Sequence, residues 1–150
     1  MPEADLAIGL RGTASLTVSA EHTAEALGSG NVPVFSTPSL VALVEQAAVN
    51  AIGNRLAPGE TSVGTRIEIS HLAATPIGQE VRAEARLAVV DGCRMTFEVV
   101  AYDAREKIGE GTHERVVIDE HRFLERVRRK SRGGEGRSGR CRGGQRREVG

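Results

Sequence analysis

The sequence predicts an α+β domain in which an antiparallel sheet wraps around one long, largely buried helix. Three observations carry the prediction. Residues 36–56, STPSLVALVEQAAVNAIGNRL, set Leu40, Leu43, Val44, Ala47, Ala48, Ala51 and Ile52 at the three-and-four spacing of a helix, and Val41, Ala42 and Val49 leave little polar face for solvent. From Thr61 onward the apolar period changes to two and holds through four successive runs. The chain has 150 residues, 39% hydrophobic and 27% charged, which is the size and make-up of one domain. A single sheet and a single apolar helix bury both by packing one on the other.

Taken in order, residues 6–20 (LAIGLRGTASLTVSA) alternate Leu6, Ile8, Leu10 and then Ala14, Leu16, Val18, the pattern of a strand in which Gly9 and Gly12 allow a bend or bulge. Residues 21–27 read as a short helical turn, and Gly28-Ser29-Gly30 as a flexible joint before residues 32–35. Thr37-Pro38 starts the long helix, with a hydroxyl able to cap free amides and a proline at the first helical position, where its missing N–H costs nothing. Residues 53–58 end it. Residues 61–71 alternate Val63, Thr65, Ile67 and Ile69, and Thr75-Pro76-Ile77-Gly78 is a turn.

Residues 79–90 give the cleanest half-buried strand, with Val81, Ala83, Ala85, Leu87 and Val89 set against Glu80, Arg82, Glu84 and Arg86. Asp91-Gly92 supplies a hairpin turn, and residues 95–102 return with Met95, Phe97, Val99 and Ala101 on one side. A turn at residues 103–106 leads to a last strand at 107–118 and a short, charged helix at 119–129. These four strands are expected to pair in consecutive antiparallel hairpins or turns. One face and one edge of the sheet then remain uncovered, which predicts a homodimer.

Only 3% of the residues are aromatic and none is Trp, so the core is expected to rest on Val, Ile, Leu and Ala. No apolar run approaches the length needed to span a bilayer, and MPEADLAIGL lacks a basic region followed by an apolar one; the expectation is a cytoplasmic protein with no membrane partner. Cys93 and Cys141 form no CxxC and no zinc spacing, so neither a metal site nor a disulfide framework is expected. The net charge of zero conceals an asymmetry. Residues 128–150 carry nine Arg or Lys against Glu135 and Glu148, a net of +7, and the first 127 residues carry −7. The division expected is a folded domain over residues 1–130 and a basic, Gly- and Arg-rich disordered tail over 131–150. That tail attracts polyanions but has no aromatic residue for base stacking, so a solvated appendage is expected rather than a nucleic-acid partner.

Glu45 is the first candidate functional residue, because an ionisable group inside an otherwise apolar helix is costly without partners. The layout of one helix and a wrapped sheet is that of the hot-dog fold. The segments VFSTPSLVALVEQAAVNAI, LAPGETSVGTRIEISHLAATPIG and EKIGEGTHERVVI resemble the fluoroacetyl-CoA thioesterase family of hot-dog hydrolases over residues 32–130. The resemblance implies hydrolysis of an acyl-CoA thioester by a dimer with sites at the subunit interface, and no cofactor beyond the CoA of the substrate. It implies Thr37, Glu45 and His71 as the catalytic set. Gly64 matches a glycine of the family site, and Phe35 is the one aromatic residue of SGNVPVF, ahead of the helix, as a substrate contact. The fluoroacetyl-specific enzyme carries an aromatic lid where this chain has Gly28, Ser29, Gly30 and Asn31, so the acyl group is left undetermined. His113 and Glu114, within GTHER, recur in the resembling proteins, with either a structural role in the last strand or a contact with CoA.

Those residue types suit the chemistry. A thioester carbonyl needs a nucleophile, a proton route and a stabiliser for the oxyanion. A carboxylate in a dry site can orient or deprotonate water or attack directly, with burial expected to raise its pKa. His71 can protonate the leaving thiolate or position the nucleophile. Thr37 can hold water, attack, or cap the helix, and backbone amides at the helix start or at Gly64 can receive the oxyanion. Covalent and general-base routes both remain open, and a non-catalytic acyl-CoA or small-ligand binding protein is the alternative function.

Overall fold

A computed structural model describes residues 6–132 and 146–148. Its elements are β1 (Arg11–Thr17), a 3-10 turn (Ala20–His22), α1 (Ala24–Leu27), α2 (Thr37–Ile52), β2 (Glu60–His71), β3 (Glu80–Asp91), β4 (Arg94–Tyr102), β5 (Lys107–Asp119), α3 (Glu120–Ser131) and β6 (Arg146–Glu148). The antiparallel sheet runs β1-β3-β4-β5-β2, with β6 beside the far end of β3. It curls around α2 as the hot-dog fold does.

The core is the set of inward positions of β3 and β4 closing on α2. Val81, Ala83, Ala85, Leu87, Met95, Phe97, Val99 and Ala101 bury against Leu40, Leu43, Val44, Ala47, Ala48, Ala51 and Ile52. Each fully buried Val, Leu or Phe contributes about 1.5–3 kcal/mol relative to exposure. The small residues of α2 let the sheet come close. At Gly12 of β1, a Cβ would lie 2.2 Å from Ala51 N and 2.3 Å from Ala47 O, so the glycine serves this approach rather than a bulge.

Four expectations are corrected. β2 does not form a hairpin with β3. It pairs with β5 at the far edge, and residues 72–79 cross back to the β1 side, held by Phe35 N–H donating to Thr75 O (2.8 Å) and Gly78 N–H to Val18 O (2.8 Å). Turn signals specify where the chain reverses, not which strand it joins. The alternation of β3 also slips: a bulge at Ala88 moves the buried face from Val89 to Ala88 and Val90. In α2, Ala42, Gln46 and Val49 are exposed, so one side of the helix has no cover among the described residues. Finally, Cys93, next to Gly92 (φ +63°) in the β3–β4 turn, is disulfide-bonded; spacing alone gave no sign of it, and Cys141 lies outside the described residues.

The tail expected to be disordered lies mostly outside the described residues. Within it, Ser131 ends α3 and Arg146–Glu148 pairs with Val89–Asp91 of β3. Asp119 caps α3, its carboxylate accepting from Arg122 N–H at 3.0 Å. Among the described residues, no helix is long and apolar enough to cross a membrane.

Candidate active site

Two clusters of polar side chains lie along α2 and β2. The first is at the start of the helix. Ser36 is the N-cap, its hydroxyl accepting from Ser39 N–H at 3.1 Å, and Thr37 is the first helical residue. Of the roles open to Thr37, capping the helix therefore falls to its neighbour. With the cap supplied by its neighbour, the Thr37 hydroxyl is free to meet His71 at the end of β2, and Oγ1 and Nδ1 stand 2.8 Å apart. The other ring nitrogen, Nε2, is buried with no hydrogen-bond partner among the described residues. Phe35 is 1% exposed and meets the His71 ring edge-on, centroids 6.4 Å apart. Burial pushes the His71 imidazole below its usual range, so the ring is neutral at pH 7.

The second cluster is deeper along both elements. Glu45 keeps 40% of its side chain accessible, so it is not the buried carboxylate the apolar helix suggested. Its Oε2 lies 3.5 Å from Nη1 of Arg115, a β5 residue only 6% exposed. Arg115 is held on three further sides. Its Nε donates to Ser62 Oγ (3.0 Å), Nη2 to the Ser62 carbonyl (3.1 Å) and Nη1 to His113 Nε2 (3.2 Å). His113 Nδ1 in turn donates to the Arg66 carbonyl at 2.8 Å. A carbonyl only accepts, so the proton sits on Nδ1 and Nε2 is left as the acceptor.

Gly64 lets this cluster close. A Cβ there would stand 2.8 Å from Glu45 Oε2, 3.2 Å from His113 Cε1 and 3.3 Å from Arg115 Nη1. The β2–β5 register slips at the next residue, Thr65, and bulges of this kind re-aim side chains beside functional sites.

Thr37 and His71 therefore meet, and Glu45 and Gly64 meet, but the two pairs are apart within one chain. Eight helical residues between Thr37 and Glu45 span about 12 Å, and seven strand residues between Gly64 and His71 span roughly 23 Å. Arg115 was missed from sequence. The available signal was its spacing: it sits two residues from His113 on a strand, so both side chains share one face, and that face is buried. Among the described residues, no three His, Cys, Asp or Glu side chains are grouped to hold a metal ion.

A sheet curled around one apolar helix is the hot-dog fold, which thioesterases of known structure share. A model of the fluoroacetyl-CoA-specific thioesterase family, FlK, matches residues 18–121, and this chain belongs to that family. The fluoroacetyl-CoA thioesterase of Streptantibioticus cattleyicolor is 46% identical over 101 residues, covering 67% of this chain and 73% of that protein. A crystal structure of the fluoroacetyl-CoA thioesterase FlK is 40% identical with a TM-score of 0.78, over 83% of this chain and 97% of the other. A thioesterase superfamily member from Thermus thermophilus gives 30% identity and a TM-score of 0.79, over 85% and 94%.

Proposed function

We propose that this chain hydrolyses an acyl-CoA thioester to the free acid and CoA, as a homodimer whose active sites each draw on both copies. The observation that carries the reading is the 2.8 Å contact between Thr37 Oγ1 and His71 Nδ1, with the second ring nitrogen buried and unpartnered. That is a proton-transfer pair in which one ring nitrogen has no partner among the described residues, the setting of a His before a carboxylate completes it. Glu45 supplies the missing carboxylate. It is too distant within its own chain, so the second copy brings it.

Two features of the protomer support such a dimer. No residue of β2 is buried and it is an edge of the sheet, while Ala42, Gln46 and Val49 of α2 are left exposed. Pairing β2 with its symmetry mate covers both and runs the two strands antiparallel. The Gly64 end of one strand then approaches the His71 end of the other.

In this site Glu45, held beside Arg115, takes a proton from the attacking water. The free end of α2 faces the developing oxyanion. The Thr37–His71 pair relays that proton to the departing CoA thiolate and ends neutral, as it began. A second reading is favoured by the same short contact: His71 deprotonates Thr37, which attacks and forms an acyl ester that water then cleaves. An acyl adduct on Thr37 in quenched single turnovers distinguishes it. CoA enters as part of the substrate and no other cofactor is required. The hot-dog domain is residues 1–130, and the basic segment 131–150 follows it, with Arg146–Glu148 paired to β3. A CoA thioester as substrate places the work in the cytoplasm.

The similarity to fluoroacetyl-CoA thioesterases puts fluoroacetyl-CoA and acetyl-CoA first among substrates to test. The short stretch ahead of α2 contributes Phe35 alone, set edge-on to His71. A panel of acyl-CoAs followed by thiol release tests the proposal. Turnover of at least one, lost in Glu45→Gln and His71→Ala with the fold intact, supports it. Saturable binding without thiol release makes the protein a ligand-binding module instead.

A further inference from the structure

We propose that His113 is a positioning residue for this reaction: anchored to the Arg66 carbonyl, it fixes the guanidinium of Arg115 toward Glu45 and releases it on protonation. The inference rests on Glu45 as the carboxylate of the thioesterase site. His113 touches neither Glu45 nor the Thr37–His71 pair through any hydrogen bond; its polar contacts are Arg66 O at 2.8 Å and Arg115 Nη1 at 3.2 Å. It is 1% exposed. A merely space-filling residue at that point needs no polar atoms. Here both ring nitrogens are used, and their roles are fixed: Nδ1–H donates backward to β2 and the Nε2 lone pair accepts forward from Arg115.

That arrangement leaves Arg115 little freedom. Nη1 has two hydrogens, one directed at His113 and one at Glu45, while Nε and Nη2 are tied to Ser62. Without the Nε2 acceptor, the guanidinium keeps only its Ser62 contacts and its long, 3.5 Å approach to Glu45. A proton on Nε2 sets N–H against N–H and a positive charge beside a positive charge. The groups around the ring divide as follows. Arg115 on β5 opposes protonation, Glu45 on α2 and Glu114 on β5 favour it, β2 offers the Arg66 carbonyl and Ile67, and β4 sets Phe97 opposite it in the ladder. Burial is the largest influence and holds the ring neutral at pH 7.

The test compares His113→Phe and His113→Gln by steady-state thiol release, with the acyl-CoA that the wild-type protein turns over best. His113→Phe keeps the bulk and loses both polar atoms. It is expected to lower kcat about tenfold or more, with KM within about twofold, as misplacement of a reacting group does. His113→Gln places an amide oxygen near the Nε2 position and cannot become charged, so it is expected to recover most of kcat. It also changes the pH profile: on the acid side the wild-type kcat falls more steeply than a single proton allows, because His71 and His113 both titrate, and His113→Gln falls with a single-proton slope.

Wild-type kcat and an unchanged slope in both variants, with Glu45→Gln inactive, would overturn the role of His113 and leave the thioesterase reading standing. A fully active Glu45→Gln would instead remove the reading beneath it. If His113→Phe does not melt as a folded protein, the slope in His113→Gln decides. Nitrogen chemical shifts of the wild-type ring decide independently: an Nε2-protonated or charged ring at pH 7 contradicts the arrangement.

Discussion

Gly64→Ala separates the site from the fold with one methyl group. The added Cβ would stand 2.8 Å from Glu45 Oε2, and ordinary contact begins near 3.4 Å, so the carboxylate must retreat by about 0.6 Å. Glu45 is the member that yields, because its carboxylate ends a flexible side chain with 40% of its surface free, whereas Arg115 and His113 are held by their other partners. The retreat lengthens a contact with Arg115 that is already 3.5 Å. A misplacement on this scale costs on the order of 10- to 100-fold in kcat, or about 1.4–2.7 kcal/mol of transition-state stabilisation. Stability should change little. Gly64 is not one of the positive-φ glycines, so alanine fits its backbone, and restriction of the unfolded chain, worth about 0.4–1 kcal/mol, offsets the crowding against His113 and Arg115. The assay is thiol release from the preferred acyl-CoA beside a thermal melt. An unchanged kcat would refute the claim that Gly64 exists to seat Glu45. A loss of activity matched by a lower melting temperature would refute the separation of site from fold.

The two hydroxyls at the start of α2 are expected to behave in opposite ways. Thr37→Ala removes the 2.8 Å partner of His71 from an exposed position and should lower kcat by roughly 10²- to 10⁴-fold while the melt shifts by less than about 1 kcal/mol. Ser36→Ala removes the cap and should cost about 0.5–2 kcal/mol of stability with kcat largely retained; the reverse outcome would exchange their roles. Stability should also fall on the acid side. His71 and His113 have folded pKa values below the ordinary 6.5, so the unfolded chain binds more protons in that range. Stability is then fully present above pH 6.5 and declines as pH drops toward the folded pKa values. Denaturant melts across pH 7.5 to 4.5 test this, and His71→Phe and His113→Phe should each flatten part of the slope.

Much of the fold was legible because its signals are local. The helical period of α2 named the seven residues that its structure buries, and the alternation of β4 named its inward face without error. The misreadings fall where long-range pairing decides. Nothing in residues 61–78 says that β2 joins β5 and passes by β3. The slip at Ala88 changes the buried face in mid-strand without a glycine or proline to mark it.

Of the site residues, Thr37 and His71 meet as the motif implied. Glu45 drew attention by a hydrophobic pattern that exaggerated its burial, since Ala42 and Val49 on the exposed side of α2 are apolar too. Arg115 and the anchoring role of His113 were hidden because a charged strand residue reads as outward-facing until its partners are known. Ser36 was passed over for Thr37 because adjacent hydroxyls are equivalent to a capping rule and distinct only in three dimensions.

Subunit complementation tests the composite site most directly. Thr37→Ala and Glu45→Gln chains are each expected to be inactive alone. If every site takes Thr37 and His71 from one copy and Glu45 from the other, a mixed dimer regenerates one intact site. Random exchange of equal amounts should then restore about a quarter of wild-type activity. Mixed dimers that form, as shown by differently tagged chains, and yet release no thiol would contradict the account.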